Sequence, residues 1–264
     1  MKNLLLSAAI GDIAGSVYEG RSKRTKDYSK VKIFAHGTHF TDDTVLTFAC
    51  AEAFIRNIDM SWNLWKCANE HRHAGFGSSF KAWFHSHDPQ PYGSKGDGSA
   101  MRCSSAGWLA KTEKECIDMA KATAVPTHNS PEGISGAVAT ALCIFHLKNG
   151  KGKDFIKKEI LEVYYPKWAN MTYKELHDTY ECHFTCPNTV GPAIICFLES
   201  KDYVDCLKLA ISLGGDADTL AAIAGPMAYA YYQEIPESLI NKAFSMLPEW
   251  MQNVNRQFDE MCNL

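Results

Sequence analysis

The segment Ser212-Leu213-Gly214-Gly215-Asp216-Ala217-Asp218-Thr219-Leu220-Ala221-Ala222-Ile223-Ala224-Gly225 constrains this chain more than any other. Two glycines, two alternating acids and a hydroxyl lead straight into a run of small apolar residues. Asp, Ser and Thr ahead of an apolar periodic run mark a helix N-terminus, because their oxygens accept the first, unsatisfied amide protons. One such residue is enough for a cap, so the second acid and the paired glycines are surplus. Hard divalent cations prefer carboxylate oxygens backed by hydroxyls and water. The segment therefore reads either as a capped helix or as a capped helix with a cation site at its start.

A second segment has the same logic. His39-Phe40-Thr41-Asp42-Asp43-Thr44 opens a helix in which Val45, Phe48, Ala51 and Ile55 keep step. Helix N-termini favour anions by roughly 0.3–1 kcal/mol each, so either cluster alone is explained by the helix dipole. If the two ends meet, four carboxylates share one site. At about 4 Å and an effective dielectric near 20, each like-charged pair costs roughly 4 kcal/mol. Divalent cations would offset that repulsion, and two fit the donor set better than one.

The rest of the chain reads as helices and loops. Leu5, Ala9, Ile13 and Val17 recur on one face and predict a helix over 4–19, with Gly11 and Gly15 allowing a close neighbour. The polar run Arg21 to Lys32 reads as a loop, and the aromatic, glycine-broken stretch Trp62 to Tyr92 as short pieces. Ala100 to Ala110 reads as helical after the Gly93–Ser99 loop. Ser130 and Pro131 are a strong helix start, as N-cap and first helical residue. Further helical pieces are predicted over 154–164, 192–200 and 202–213, with one or two more over 236–261. Pro226 should kink the helix that follows Asp218. With no convincing β alternation and no linker, the expected fold class is all-α, one domain over 1–264.

Composition narrows the function classes. The formal charge of 27 minus 30, or −3, supplies no basic field for nucleic acid. The N-terminal run Leu4 to Ile10 is too short for a bilayer, which needs about 18–20 apolar residues, and it continues into Gly11-Asp12 and more helix. Ten scattered cysteines, several in apolar helical runs, suit reduced thiols better than disulfides. A cytoplasmic protein is expected. Cys182-His183-x-x-Cys186 invites a zinc reading, but no second pair has matching spacing. The pairs His71/His73 and His85/His87 read as surface or packing residues. Trp62, Trp65, Trp83 and Phe84 read as mostly core, with one aromatic left over to stack on a base.

Five motifs then occur in order: Gly11-Asp12-Ile13-Ala14-Gly15-Ser16-Val17-Tyr18-Glu19, Phe40-Thr41-Asp42-Asp43-Thr44, Gly96-Asp97-Gly98-Ser99-Ala100-Met101-Arg102, Thr127-His128 and Leu213-Gly214-Gly215-Asp216-Ala217-Asp218-Thr219. Together they resemble the ADP-ribosylglycohydrolase family, over nearly the whole chain. The resemblance implies a helical bundle with a central cleft holding two Mg²⁺ or Mn²⁺ ions. It implies Thr41, Asp42 and Asp43 as ligands from one side and Asp216, Asp218 and Thr219 from the other. Glu19 matches the family's mobile glutamate. Gly96 to Arg102 (Gly96, Asp97, Gly98, Ser99, Ala100, Met101, Arg102) looks like the loop that wraps the diphosphate and distal ribose, and His128 matches a substrate-contacting histidine.

The implied reaction is hydrolysis of the glycosidic bond between ADP-ribose and an acceptor, on a protein side chain or a small conjugate. Glu19 and Asp42 are the candidates for general base. Two rivals stand beside it: a non-catalytic ADP-ribose binder, and a metal-dependent phosphoesterase or pyrophosphatase. The expected partner is an ADP-ribosylated protein or small conjugate, met by a monomer, with neither membrane nor nucleic acid. Three departures from the pattern matter: Asp97 where many relatives carry Asn, Cys186-Pro187-Asn188-Thr189-Val190-Gly191 at one cleft edge, and Pro226.

Overall fold

A computed structural model describes residues 2–20 and 22–262. The fold is all-α, and no strand occurs among the described residues. In chain order the helices are α1 (Leu6–Gly15), α2 (Asp42–Arg56), α3 (Met60–Glu70), α4 (Ser78–His85), α5 (Gly98–Met101) and α6 (Ser104–Leu109). Next come α7 (Glu113–Ala124), α8 (Pro131–Lys148) and α9 (Lys153–Phe155), which passes through a π-turn, Ile156–Leu161, into α10 (Glu162–Tyr164). The last six are α11 (Tyr173–Thr179), α12 (Cys186–Glu199), α13 (Tyr203–Ser212), α14 (Ala217–Tyr232), α15 (Glu237–Met246) and α16 (Glu249–Met261).

The axis of the bundle is the pair α1 and α14, which pack more extensively than any other two elements. Small residues make this contact possible. A Cβ added at Gly11 would lie 2.2 Å from the Ala221 carbonyl oxygen, and one at Gly15 would lie 2.4 Å from the Asp218 Cα. On the opposing helix, a Cβ at Gly225 would reach 2.4 Å from the Ser7 carbonyl oxygen. Backbone therefore rests on backbone along the whole seam. This places the C-terminal end of α1 against the N-terminal end of α14. Around the pair, α12 and α13 flank α14, α8 lies across α12 and α14, and α16 covers α2.

Helix starts follow the capping chemistry of the sequence. Ser130 Oγ accepts from the Gly133 amide with Pro131 just inside α8, and Thr41 Oγ1 accepts from the Asp43 amide at the start of α2. Two helices, α7 and α11, carry no strong apolar period and were not anticipated. Their signal lies in their caps: Thr112 accepts from Glu115, and Thr172 with Glu175 forms a reciprocal capping box. The helix expected from 192 begins at Cys186 and runs through Pro192. The proline leaves the Asn188 carbonyl without its helical donor, and the Tyr180 hydroxyl takes that place at 3.1 Å. Likewise α14, in which a kink is expected at Pro226, continues as one helix past that proline to Tyr232. The Ala100–Ala110 stretch is two helices broken at Arg102 and Cys103. Among the described residues no disulfide is formed. Trp83 and Phe84 are core as expected, whereas Trp62 is 52% exposed.

Candidate active site

Three chain segments converge on one cavity of about 470 Å³: the residues just after α1, the start of α2, and the start of α14. Six carboxylates line it, from Glu19, Asp42, Asp43, Asp97, Asp216 and Asp218, and among the described residues Arg102 is the one lining Lys or Arg. Thr219 Oγ1 approaches Asp43 Oδ2 at 3.3 Å, which joins α14 to α2. Oxygens of Glu19, Asp216 and Asp218 all lie within 4.8 Å of one another. The turn into α14 depends on Gly214, whose φ of 73° is open to glycine at no steric cost.

Such crowding has an electrostatic signature. Burial first, and then the neighbouring carboxylates, hold Asp42, Asp43 and Asp216 well above the usual carboxylate range. The same causes push Asp218 up to about 7. Asp43 Oδ1 is buried with no hydrogen-bond partner among the described residues. An orphaned carboxylate oxygen among other acids, with two threonine hydroxyls alongside, is the donor chemistry of a hard divalent cation. The residues present fit such an ion.

Asp12, on α1, has no role legible in its motif, yet it organises the α2 side. Its buried carboxylate accepts from the Thr41 amide at 2.9 Å, the Thr41 hydroxyl at 2.7 Å, the Thr44 amide at 3.1 Å, and the Thr44 hydroxyl. A threonine has one hydroxyl proton. The 2.7 Å contact to Asp12 takes it, so the 3.5 Å approach of Thr41 Oγ1 to Asp43 Oδ2 sets two acceptors side by side. The signal in the sequence was an acid among the glycines and small apolar residues of a helix that is buried throughout.

The opposite wall is the glycine loop. Gly96, Asp97, Gly98, Met101, Arg102 and His128 line the cavity, whereas Ser99 and Ala100 do not. Ser99 Oγ donates instead to the Gly133 carbonyl at 2.7 Å. The loop is stitched to the start of α8: the Gly93 amide donates to Asn129, the Ser94 amide to the Thr127 carbonyl, and Ser130 Oγ to the Ser94 carbonyl. The segment at the start of α12, expected to be an uncertain edge, braces the same loop. The Cys186 thiol donates to the Gly96 carbonyl, and Thr189 Oγ1 donates to Asp97 Oδ2 at 2.6 Å. Burial outweighs that hydrogen bond and pushes Asp97 up to about 6. Cys182, His183 and Cys186 do not form a metal-ligating group among the described residues.

The aromatics at the cavity are Phe80, Tyr92 and Phe184, none of which the sequence singled out. Phe184 is 54% exposed, and the Arg24 guanidinium sits 5.9 Å from its ring centroid. Arg24 Nε also donates to the Glu19 carbonyl at 3.1 Å, which ties the rim to the acidic centre.

The fold and the cleft together define a class: an all-helical protein that gathers acidic side chains at helix N-termini around one cleft. The chain belongs to the ADP-ribosylglycohydrolase family, whose sequence profile matches residues 1–263. It is 27% identical to the ADP-ribosyl-[dinitrogen reductase] glycohydrolase of Rhodospirillum rubrum over 67% of this chain and 59% of that one. It is 23% identical to the ADP-ribosylhydrolase ARH3 of Bos taurus, over 90% of this chain and 86% of the relative. A solved ADP-ribosylglycohydrolase-related protein complex shares the fold, with a TM-score of 0.71 over 99% of this chain and 97% of that chain at 20% identity.

Proposed function

We propose that this protein hydrolyses the glycosidic bond between ADP-ribose and an acceptor, with two divalent cations, Mg²⁺ or Mn²⁺. The observation that carries this reading is the meeting of the α2 and α14 acidic N-termini around an orphaned, buried Asp43 oxygen. The names of the two relatives, a glycohydrolase and an ADP-ribosylhydrolase, supply the bond type.

Thr41, Asp42 and Asp43 on one side, and Asp216, Asp218 and Thr219 on the other, would hold the cations. Bound there, such ions supply charge to neutralise the acids, grip on the sugar hydroxyls, and a lowered pKa for water. The other roles belong to the chain itself. Asp12 accepts the hydrogen bond of the Thr41 hydroxyl, which leaves the lone pairs of that oxygen free to face a cation. Glu19 and Asp42 are the carboxylates available to take a proton from attacking water as positive charge grows on the sugar ring. Gly96 and Gly98 let backbone approach a diphosphate closely. Met101, Arg102 and His128 form the wall behind that loop, and Phe80, Tyr92 and Phe184 add apolar lining to the cavity. An ionised Asp97 only accepts hydrogen bonds, so it faces a hydroxyl or a cationic group and rejects a phosphate oxygen. That carboxylate is the one feature favouring a second reading, a binder without turnover.

Incubating the protein with arginine- and serine-linked mono-ADP-ribosyl peptides, with Mg²⁺, Mn²⁺ or EDTA, tests the proposal. Intact ADP-ribose as product supports it. AMP would identify a phosphoesterase, and tight binding with no product would identify a binder.

A further inference from the structure

A buried relay runs behind the glycine loop and ends at the cavity. Arg102 is fully buried at the break between α5 and α6. Its Nε and Nη2 both donate to the Thr123 carbonyl, at 3.0 and 2.7 Å. Nη2 also donates to Thr127 Oγ1 at 2.8 Å. Thr127 Oγ1 in turn lies 2.7 Å from His128 Nδ1. Both Arg102 and Thr127 are 0% exposed, so solvent does not complete their hydrogen bonding.

Proton counting gives the relay a direction. A guanidinium has donors and no acceptor, so Thr127 receives from Arg102 and keeps its own hydroxyl proton to give. His128 Nδ1 is the acceptor within reach. We propose that Arg102 and Thr127 are positioning residues that fix His128 as its Nε2–H tautomer, so that the ring offers a hydrogen-bond donor to an acceptor oxygen of the ligand. In the hydrolase reading, on which this inference rests for the ligand, that oxygen belongs to the diphosphate.

The opposite tautomer conflicts with the surroundings. With a proton on Nδ1, the ring would donate to the Thr127 oxygen beside Arg102, and the Thr127 proton would have no acceptor among the described residues. The other end of the ring is open to a ligand. Nε2 makes no hydrogen bond within the described residues, and a Cβ built on Gly98 or Gly96 would meet it at 3.2 or 3.5 Å. The ring also lines the cavity, together with Arg102 and the acids. Burial, aided by the Arg102 charge, lowers the His128 pKa to about 2. A neutral imidazole has a single N–H, so the tautomer decides whether this wall offers a donor or an acceptor.

The test has a readout independent of turnover. In ¹⁵N-histidine-labelled protein, two-dimensional NMR at pH 7 should show His128 with a protonated Nε2 and a bare Nδ1. Thr127→Val should redistribute the proton toward Nδ1 and weaken binding of free ADP-ribose by about tenfold, the scale of one lost hydrogen bond. Thr127→Ser should restore both the spectrum and the affinity. If the wild-type protein hydrolyses ADP-ribosyl peptides, Thr127→Val should raise KM by a similar factor with kcat little changed. A wild-type His128 protonated on Nδ1, or a folded Thr127→Val variant that binds ADP-ribose as wild type does, would overturn the relay. Absence of hydrolysis by the wild type counts against the hydrolase reading alone, because the wild-type spectrum tests the tautomer without catalysis and without any variant.

Discussion

Thr219 Oγ1 and Asp43 Oδ2 lie 3.3 Å apart although 176 positions separate them in the chain. Each stands in the first turn of its helix, α14 and α2. The contact joins two clusters that would each pass for ordinary helix capping alone. Four aspartates brought together at helix N-termini gain from both dipoles. Their mutual repulsion and desolvation remain, and a hard cation would offset both.

Added Mg²⁺ or Mn²⁺ should therefore raise the thermal midpoint of the protein, and EDTA should lower it, as for any ligand that binds only the folded state. Asp43→Asn and Asp218→Asn should remove most of this shift. The Asn variants should also be more stable than wild type in EDTA, because a buried like-charge pair is gone. Differential scanning calorimetry with and without metal reads both effects.

Asp12 touches no cavity space, yet it should matter for metal affinity. Asp12→Asn replaces a double acceptor with a group that has one acceptor oxygen, and the Thr41 and Thr44 donors lose part of their partner. Partners of ligating groups typically contribute 10–100-fold in affinity, so Mn²⁺ titration followed by electron paramagnetic resonance should show a loss of about that size. A variant with wild-type Mn²⁺ affinity would show that Asp12 only fastens the two helices.

His128 fixes a sign for acid sensitivity. Its pKa is depressed in the folded state to about 2, against an ordinary value near 6.5. Below pH 6.5 the unfolded chain therefore binds a proton that the folded chain refuses, and stability falls as pH falls. His128→Gln should flatten the stability curve between pH 6.5 and 4, by up to about 1.4 kcal/mol per pH unit relative to wild type. Urea unfolding of both proteins across that range gives the comparison, in which contributions from the carboxylates largely cancel.

The seam between α1 and α14 sets the site geometry. Gly15→Ala would press a methyl group to 2.4 Å from the Asp218 Cα, where backbone must move. Overpacking of this kind costs about 1–3 kcal/mol, and the displaced Asp218 should lower metal affinity as well. Gly152, whose added Cβ would meet nothing within 4 Å, is the control. Gly152→Ala should stay within about 1 kcal/mol of wild type and bind metal normally.

Much of this was legible in the sequence because small residues and acids say where helices start and where they touch. Gly11 and Gly15 point to a close seam, and the surplus acids at Asp216 and Asp218 point to a candidate site. Other parts were hidden by the range of the interactions. The role of Asp12 depends on Thr41 and Thr44, from a different helix, arriving above it. Phe184 and Tyr92 sit in loops without periodicity, so nothing local marks them as cavity walls. Ser99 and Ala100 belong to a glycine motif, but a single short turn of α5 aims them into the protein rather than at the cleft. Asp97 reads as a misplaced charge until Thr189, from the start of α12, is seen donating to it.

The most direct test of the central claim is product analysis of mono-ADP-ribosyl peptide turnover by wild type, Asp42→Ala and Asp218→Ala, with Mg²⁺ and with EDTA. Release of intact ADP-ribose by the wild type with metal, abolished by EDTA and by either substitution, is the expected result. Undiminished turnover in EDTA, or full activity in either variant, would contradict it.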